Sequence, residues 1–137
     1  PIIAAGGISD SRTVRASLDL GAVCVQVGTA YLLCPEATTS SIHRSLIQDM
    51  SAAETAVTNI FTGRPARGIV NRAMRELGYM NSSAPQFPVA ANAMAVLRSA
   101  SEASGKGDFS PLWCGQNASG CKAIPAAALT QQLMADL

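Results

Sequence analysis

Several absences narrow the reading of this chain before any motif is considered. No apolar run approaches the roughly 18 residues of a membrane span, and the start lacks the basic n-region of a secretory signal. The parent protein is therefore expected to be soluble and cytoplasmic, with no membrane partner. Charge is scarce: 14% of residues are charged and the formal net charge is +1, which gives no electrostatic footprint for nucleic acid or an anionic lipid surface. A small neutral or anionic ligand stays open. There is no CxxC pair among Cys24, Cys34, Cys114 and Cys121, so neither a zinc site nor a disulfide framework is indicated. Cys24 in "AVCVQV" and Cys34 in "YLLCPE" have apolar neighbours and read as buried cytosolic thiols. The one histidine, His43, stands beside Arg44 with no acidic residue at helical spacing before Asp49. Nothing in the sequence would tune it as a base, and it reads as a solvent-exposed residue. No Ser-His-Asp set, metal-ligand cluster or convincing nucleophile is visible.

A length of 137 residues permits one domain. The chain has no initiating Met and opens inside an apolar run, "PIIAAGGISD", so it is expected to begin in the middle of something larger. Pro1 to Ala5 is continuously apolar, the pattern of a parallel strand covered on both faces. Ser9 or Asp10 then offers a helix cap. "SRTVRASLDLG" sets Val14 and Leu18 one turn apart, with Gly21 at the C-cap. "AVCVQVGT" is a second strand. Strand, helix and strand make a right-handed βαβ unit with parallel strands. If neighbours, the strands end about 5 Å apart, with Gly6 and Gly7 on one rim with Gly28 and Thr29.

Pro35 interrupts the chain after "AYLLC", and "SSIHRSLIQDM" predicts a helix with Ile42, Leu46 and Ile47 on one face. In "TAVTNIFTGRPARGIVN", Val57, Ile60 and Phe61 suggest an extended segment. Gly63, Pro65 and Gly68 then punctuate a turn that carries Arg64 and Arg67. "NRAMRELG" is a helix ending at Gly78, residues 79 to 90 are a loop rich in Ser, Asn and Pro, and "ANAMAVLRSASEAS" is a further helix. "IPAAALTQQLMADL" closes the sequence as a helix with Leu129 and Leu133 on one face.

Three features invite a chemical reading. Gly6, Gly7 and Gly28 either form tight βα turns or expose backbone N–H groups at a helix start, where anions are favoured. Two such strand ends on one rim match the phosphate cradle built after strands 7 and 8 of many (β/α)8 barrels, which favours the second reading. In "TGRPARG" the two guanidiniums could clamp an anion, although an ion-pair network with Glu54 or Glu76 is the plainer explanation. In "LWCGQ", Trp113 suits a lid over a planar ligand and equally suits ordinary packing.

Taken in order and spacing, "PIIAAGGISD", "GAVCVQVGTAYLLCPE", "FTGRPARGIVNR" and "LWCGQ" resemble the C-terminal part of nitronate monooxygenases, formerly called 2-nitropropane dioxygenases. The resemblance runs over nearly the whole chain. The first two segments are shared with flavin-dependent enoyl-acyl-carrier-protein reductases, whereas "GRPARG" followed by "LWxGQ" is more typical of the nitronate enzymes.

The resemblance implies an α/β fold: the last two strands of an FMN-binding TIM barrel, with an appended, mainly helical subdomain. Residues 1–50 would be the βαβ unit and following helix, 51–110 the subdomain, and 111–137 the return loop and a terminal helix packing on the barrel. FMN phosphate would sit at Gly6, Gly7, Gly28 and Thr29. Gln26 shares strand parity with Gly28 and would face the flavin, which Gln116 would approach from the late loop. The implied activity is oxidative denitrification of alkyl nitronates with oxygen. The family's catalytic histidine falls upstream of the matched segment and is not His43, so no catalytic residue is assigned here. An open parallel edge implies a homodimer or association with the N-terminal part. The alternatives are the enoyl reductase and a non-catalytic binding module.

Overall fold

Spacing of apolar residues and placement of caps account for several helices in the computed structural model, which describes residues 1–49 and 54–137. In chain order the elements are β1 (Ile3–Ala5), α1 (Ser11–Asp19), β2 (Cys24–Gln26), a 3₁₀ helix (Thr29–Leu33), α2 (Ser41–Gln48), β3 (Thr55–Thr58), β4 (Ala66–Ile69), α3 (Arg72–Leu77), α4 (Ala90–Ala103) and α5 (Ala126–Leu133). The chain divides into two units, residues 1–50 with 115–137, and residues 51–114.

In the first unit, Asp10 caps α1 by a reciprocal arrangement. Its carboxylate accepts from the Thr13 N–H at 2.8 Å, while the Thr13 hydroxyl accepts from the N–H groups of Ser9 and Asp10 at 3.0 and 3.1 Å. The helix ends at Leu20, and Gly21 follows at φ +100°, a conformation that costs glycine little. Between these ends Val14 is buried in a core with Ala30, Cys34, Leu129 and Leu133, against which Leu18, Val25 and Val27 pack. Full burial of a Val or Leu such as Val14 or Leu129 contributes roughly 1.5–3 kcal/mol.

β1 and β2 pair in parallel with register Ile3↔Cys24, Ala4↔Val25 and Ala5↔Gln26, as the βαβ reading predicts. The expectation of two covered faces fails among the described residues. Val25 and Val27 turn to the core, but Ile3 is 61% exposed and Cys24 is also exposed. Side chains alternate across a strand, and the helical core lies against one face only. Cys24 is therefore no buried thiol, whereas Cys34 is.

The segment before Pro35, given no structure from the sequence, is the 3₁₀ helix. Its exit is held by Arg44 of α2, whose guanidinium donates to the carbonyls of Leu33, Cys34, Ala37 and Thr39 at 2.8–3.1 Å. α2 is capped by Ser40, whose hydroxyl accepts from His43 N; the predicted end at Met50 lies outside the described residues. His43 is half-buried with Nε2 enclosed, contrary to the expected exposed position, because its face of α2 turns partly inward beside Ile47. The start of α5 has no side-chain cap of its own. The Glu36 carboxylate takes that place, accepting from Ala126 N at 3.0 and 3.1 Å, where a negative charge complements the helix dipole.

The second unit contains an antiparallel hairpin as well as two helices. β3 and β4 pair from Thr55↔Ile69 to Thr58↔Ala66. Gly68 lies inside β4, paired with Ala56, rather than in the predicted turn; a β-carbon there would come within 2.9 Å of the Leu112 carbonyl oxygen, so glycine here allows close backbone approach. Asn71 caps α3 through Met74 N and donates to the carbonyls of Gly107 and Ser110. Ile60, Phe61, Val70, Ala73 and Met74 form the core. Ile60 and Phe61 enter it from the turn after β3, not from an extended strand.

Candidate functional site

The rim that follows β1 and β2 carries backbone N–H groups without a protein partner among the described residues. Gly6 and Gly7 have φ of +98° and +73°, values that a residue with a side chain rarely adopts. A β-carbon at Gly6, Gly7 or Gly28 would meet nothing within 4 Å, so the backbone there faces open space. Among the described residues, the N–H groups of Gly7 and Ile8 donate to no protein group. The first N–H groups of the 3₁₀ helix, at Thr29 and Ala30, have no acceptor within the helix by its geometry.

Gly28 adopts φ −114°, which any residue tolerates. Its backbone conformation does not call for glycine, and a side chain there would meet no protein atom within 4 Å. The α1 N-terminus, expected to favour an anion, already carries the Asp10 carboxylate. Hydrogen bonds from Thr13 hold that carboxyl below its ordinary pKa, with Arg12 adding a smaller pull in the same direction. The free donors of the rim therefore belong to the turn before α1 and to the start of the 3₁₀ helix.

A late loop closes onto the rim from within the same unit. Gly115 N–H donates to Thr29 Oγ1 at 2.9 Å, and a β-carbon on Gly115 would lie 3.3 Å from that oxygen and 3.7 Å from Gly7 N. With its oxygen accepting, the Thr29 hydroxyl keeps its proton to donate elsewhere. Asn117 Nδ2 donates to the Gly7 carbonyl at 3.3 Å and to Ser9 Oγ at 2.8 Å. Cys121 Sγ donates to the Thr29 carbonyl, and Gly120 packs directly on Ser9. The structure thus brings Gly7, Thr29 and the Gly115–Gln116 pair together. Gln26 and Gln116 are both exposed, Gln26 on the same strand face as Cys24.

Asn117, Gly115, Gly120 and Cys121 were missed by the sequence reading. A signal was available for one of them: "NAS" places Ser119 two residues after Asn117, the spacing of an Asx turn, and Asn117 Oδ1 accepts from Ser119 N and Oγ.

Arg64, Arg67 and Trp113 belong to the second unit, and the ion-pair network expected of the arginines with Glu54 or Glu76 is not formed among the described residues. Arg67 Nη1 donates to the Thr55 carbonyl at 2.9 Å and to its hydroxyl at 3.2 Å. Arg64 lies 4.2 Å over the Phe87 ring. Neither forms an ion pair among the described residues, and Glu76 pairs with Arg72 instead. Trp113 packs edge-on against Phe61, with ring centroids 5.8 Å apart, so it serves the core of its own unit. Burial raises the thiol pKa of both Cys34 and Cys114, which disfavours the reactive thiolate. No cluster of three or more metal-ligating side chains occurs among the described residues.

A family model described as nitronate monooxygenase matches residues 1–136. The chain belongs to the nitronate monooxygenase family. Curated relatives agree: a nitronate monooxygenase of Pseudomonas aeruginosa is 40% identical over 138 residues, and a probable nitronate monooxygenase of Bacillus subtilis is 34% identical over 137. Each match covers 100% of this chain and 39% of the relative, so the chain spans about two fifths of their length. Among solved structures, a nitroalkane oxidase from Streptomyces ansochromogenes superposes with a TM-score of 0.88 at 37% identity, covering all of this chain and 39% of that one. FabK from Thermotoga maritima follows with a TM-score of 0.74 at 29% identity, over 99% of this chain and 43% of its own. This member of the nitronate monooxygenase family therefore has the α/β fold of one part of these larger proteins. No helix among the described residues is long and apolar enough to cross a membrane.

Proposed function

We propose that the chain forms the C-terminal part of an FMN-dependent nitronate monooxygenase and supplies its phosphate cradle. One observation carries this reading: unpartnered N–H groups at Gly7 and Ile8 and the Thr29 hydroxyl share one rim with glycines whose missing β-carbons leave open space. Such a constellation fits a phosphate dianion, which takes several backbone donors and needs close approach. β1 and β2 are then the last two strands of a TIM barrel, with residues 51–110 as an appended subdomain and 111–137 as the return segment and terminal helix. Gly6 and Gly28 keep the approach clear, while Thr29 donates its hydroxyl proton to a phosphate oxygen. Gln26 and Gln116 offer amides toward the ring.

Bound FMN would supply the electron transfer by which a nitronate and oxygen yield a carbonyl compound. No side chain of this chain is assigned as the base; that group belongs to the segment which the longer relatives carry upstream. The exposed Ile3 and Cys24 face and the free strand edge are the surfaces that this segment, or a second copy, would cover. The parent enzyme is placed in the cytoplasm.

The full-length protein, given alkyl nitronates, should consume oxygen and release carbonyl product in proportion to its flavin content. Reduction of enoyl thioesters without nitronate oxidation would move the assignment to the reductases that share the first two motifs. The 137-residue chain alone should hold no flavin, and a monomer retaining flavin absorbance through gel filtration would overturn that expectation.

A further inference from the structure

We infer that Asn117 is a positioning residue that selects the peptide orientation of the Gly7–Ile8 turn and so makes phosphate affinity depend on the late loop. The inference rests on the phosphate reading of the rim. Gly6 and Gly7 both lie at positive φ, and glycine populates either sign of φ at similar cost. A turn of two adjacent glycines therefore has several peptide orientations open to it, and the sequence of the turn does not choose among them. Asn117 does. Its Nδ2 donates to the Gly7 carbonyl at 3.3 Å and to Ser9 Oγ at 2.8 Å, one contact inside the turn and one at its exit.

The orientation of the amide is itself fixed by neighbours that cannot exchange roles. Ser119 N–H can only donate, and it donates to Asn117 Oδ1 at 3.0 Å; the Gly7 carbonyl can only accept. Nδ2 must therefore face the turn. The carbonyl and N–H of one planar trans peptide point in opposite directions. Holding the Gly7 carbonyl toward Asn117 thus turns the Ile8 N–H away from the late loop, and this N–H donates to no protein group among the described residues. Asn117 does not touch the ligand in this arrangement. It presents a donor that does.

The same loop carries Gln116, and Gly115 grips the other side of the rim through Thr29 Oγ1. Phosphate recognition and the placement of Gln116 are consequently coupled through residues 115–117.

The test compares FMN with riboflavin, which has the same ring system and lacks the phosphate, in binding titrations of the full-length protein and two variants. Asn117→Ala removes both donations. Asn117→Ser is also too short to reach Gly7, but its hydroxyl can still accept from Ser119 N–H, so it guards against loss of the loop turn. Both variants should lower the preference for FMN over riboflavin by about tenfold, through weaker FMN binding with riboflavin affinity little changed. Equal changes for both flavins would mark Asn117 as a general structural support and overturn the inference, as would no change for either. A wild-type protein without any preference for FMN would instead remove the phosphate reading itself.

Discussion

The rim of the first unit and the hairpin of the second use glycine in opposite ways. In the first, Gly6, Gly7 and Gly28 face space in which an added β-carbon meets nothing within 4 Å. In the second, a β-carbon on Gly63 would overlap the backbone of Pro85–Phe87, and one on Gly68 would press on the Leu112 carbonyl. The rim glycines leave open space, whereas Gly63 and Gly68 let backbone close up around the hairpin, as Gly120 does against Ser9 in the first unit. The contrast teaches that a glycine count says little about a site, and that the surroundings of each glycine decide whether it serves a ligand or the fold.

Substitutions can break this contrast, and their effects should fall in a definite order. Gly63→Ala combines a positive φ of +84° with overlap of fixed backbone, and should cost roughly 2–5 kcal/mol of unfolding free energy in urea titration. Gly68→Ala, strained only by the Leu112 contact, should cost about 1–3 kcal/mol. A result below 0.5 kcal/mol for either would show that the second unit is more loosely packed than described.

Next comes Asp10→Ala at the α1 cap, with an expected loss of about 1 kcal/mol at neutral pH. Because the folded-state pKa of Asp10 lies below its ordinary value of 3.8, the ionised carboxylate's contribution is full above that value. It is lost as pH falls through the folded pKa. The gap between wild type and variant should accordingly narrow on acidification; a gap that widens would contradict the assigned hydrogen bonds. Gly28→Val should have the smallest effect on the fold, within about 0.5 kcal/mol, yet should weaken flavin retention by the full-length protein. Loss of stability in place of loss of flavin would make Gly28 a packing residue like Gly68.

How far the sequence disclosed this structure depends on the range of the interactions involved. The βαβ unit and its parallel pairing were legible because Val14, Leu18 and the Asp10 cap lie within one short segment. The α3 and α5 helices were readable for the same reason. What was missed is held by distant partners: Arg44 on the carbonyls after the 3₁₀ helix, Asn117 on Gly7, Glu36 at the start of α5. No local periodicity records such contacts. Cys24 and His43 went wrong for a related reason, since apolar or polar neighbours in sequence do not say which face is covered in space. For the candidate site, Gly6, Gly7, Gly28 and Thr29 could be named from the strand ends, but the loop that shapes them could not.

The bond between Glu36 and Ala126 bears on how the chain is made. The first unit draws on residues 1–50 and 115–137, and its core needs Leu129 and Leu133 beside Val14. A ribosome delivers these halves at different times, with the whole of residues 51–114 between them. The second unit is a continuous stretch and can fold as soon as it has emerged. The first unit can close only once residues 115–137 have emerged, and the entropy of closing the intervening loop rises only slowly with its length.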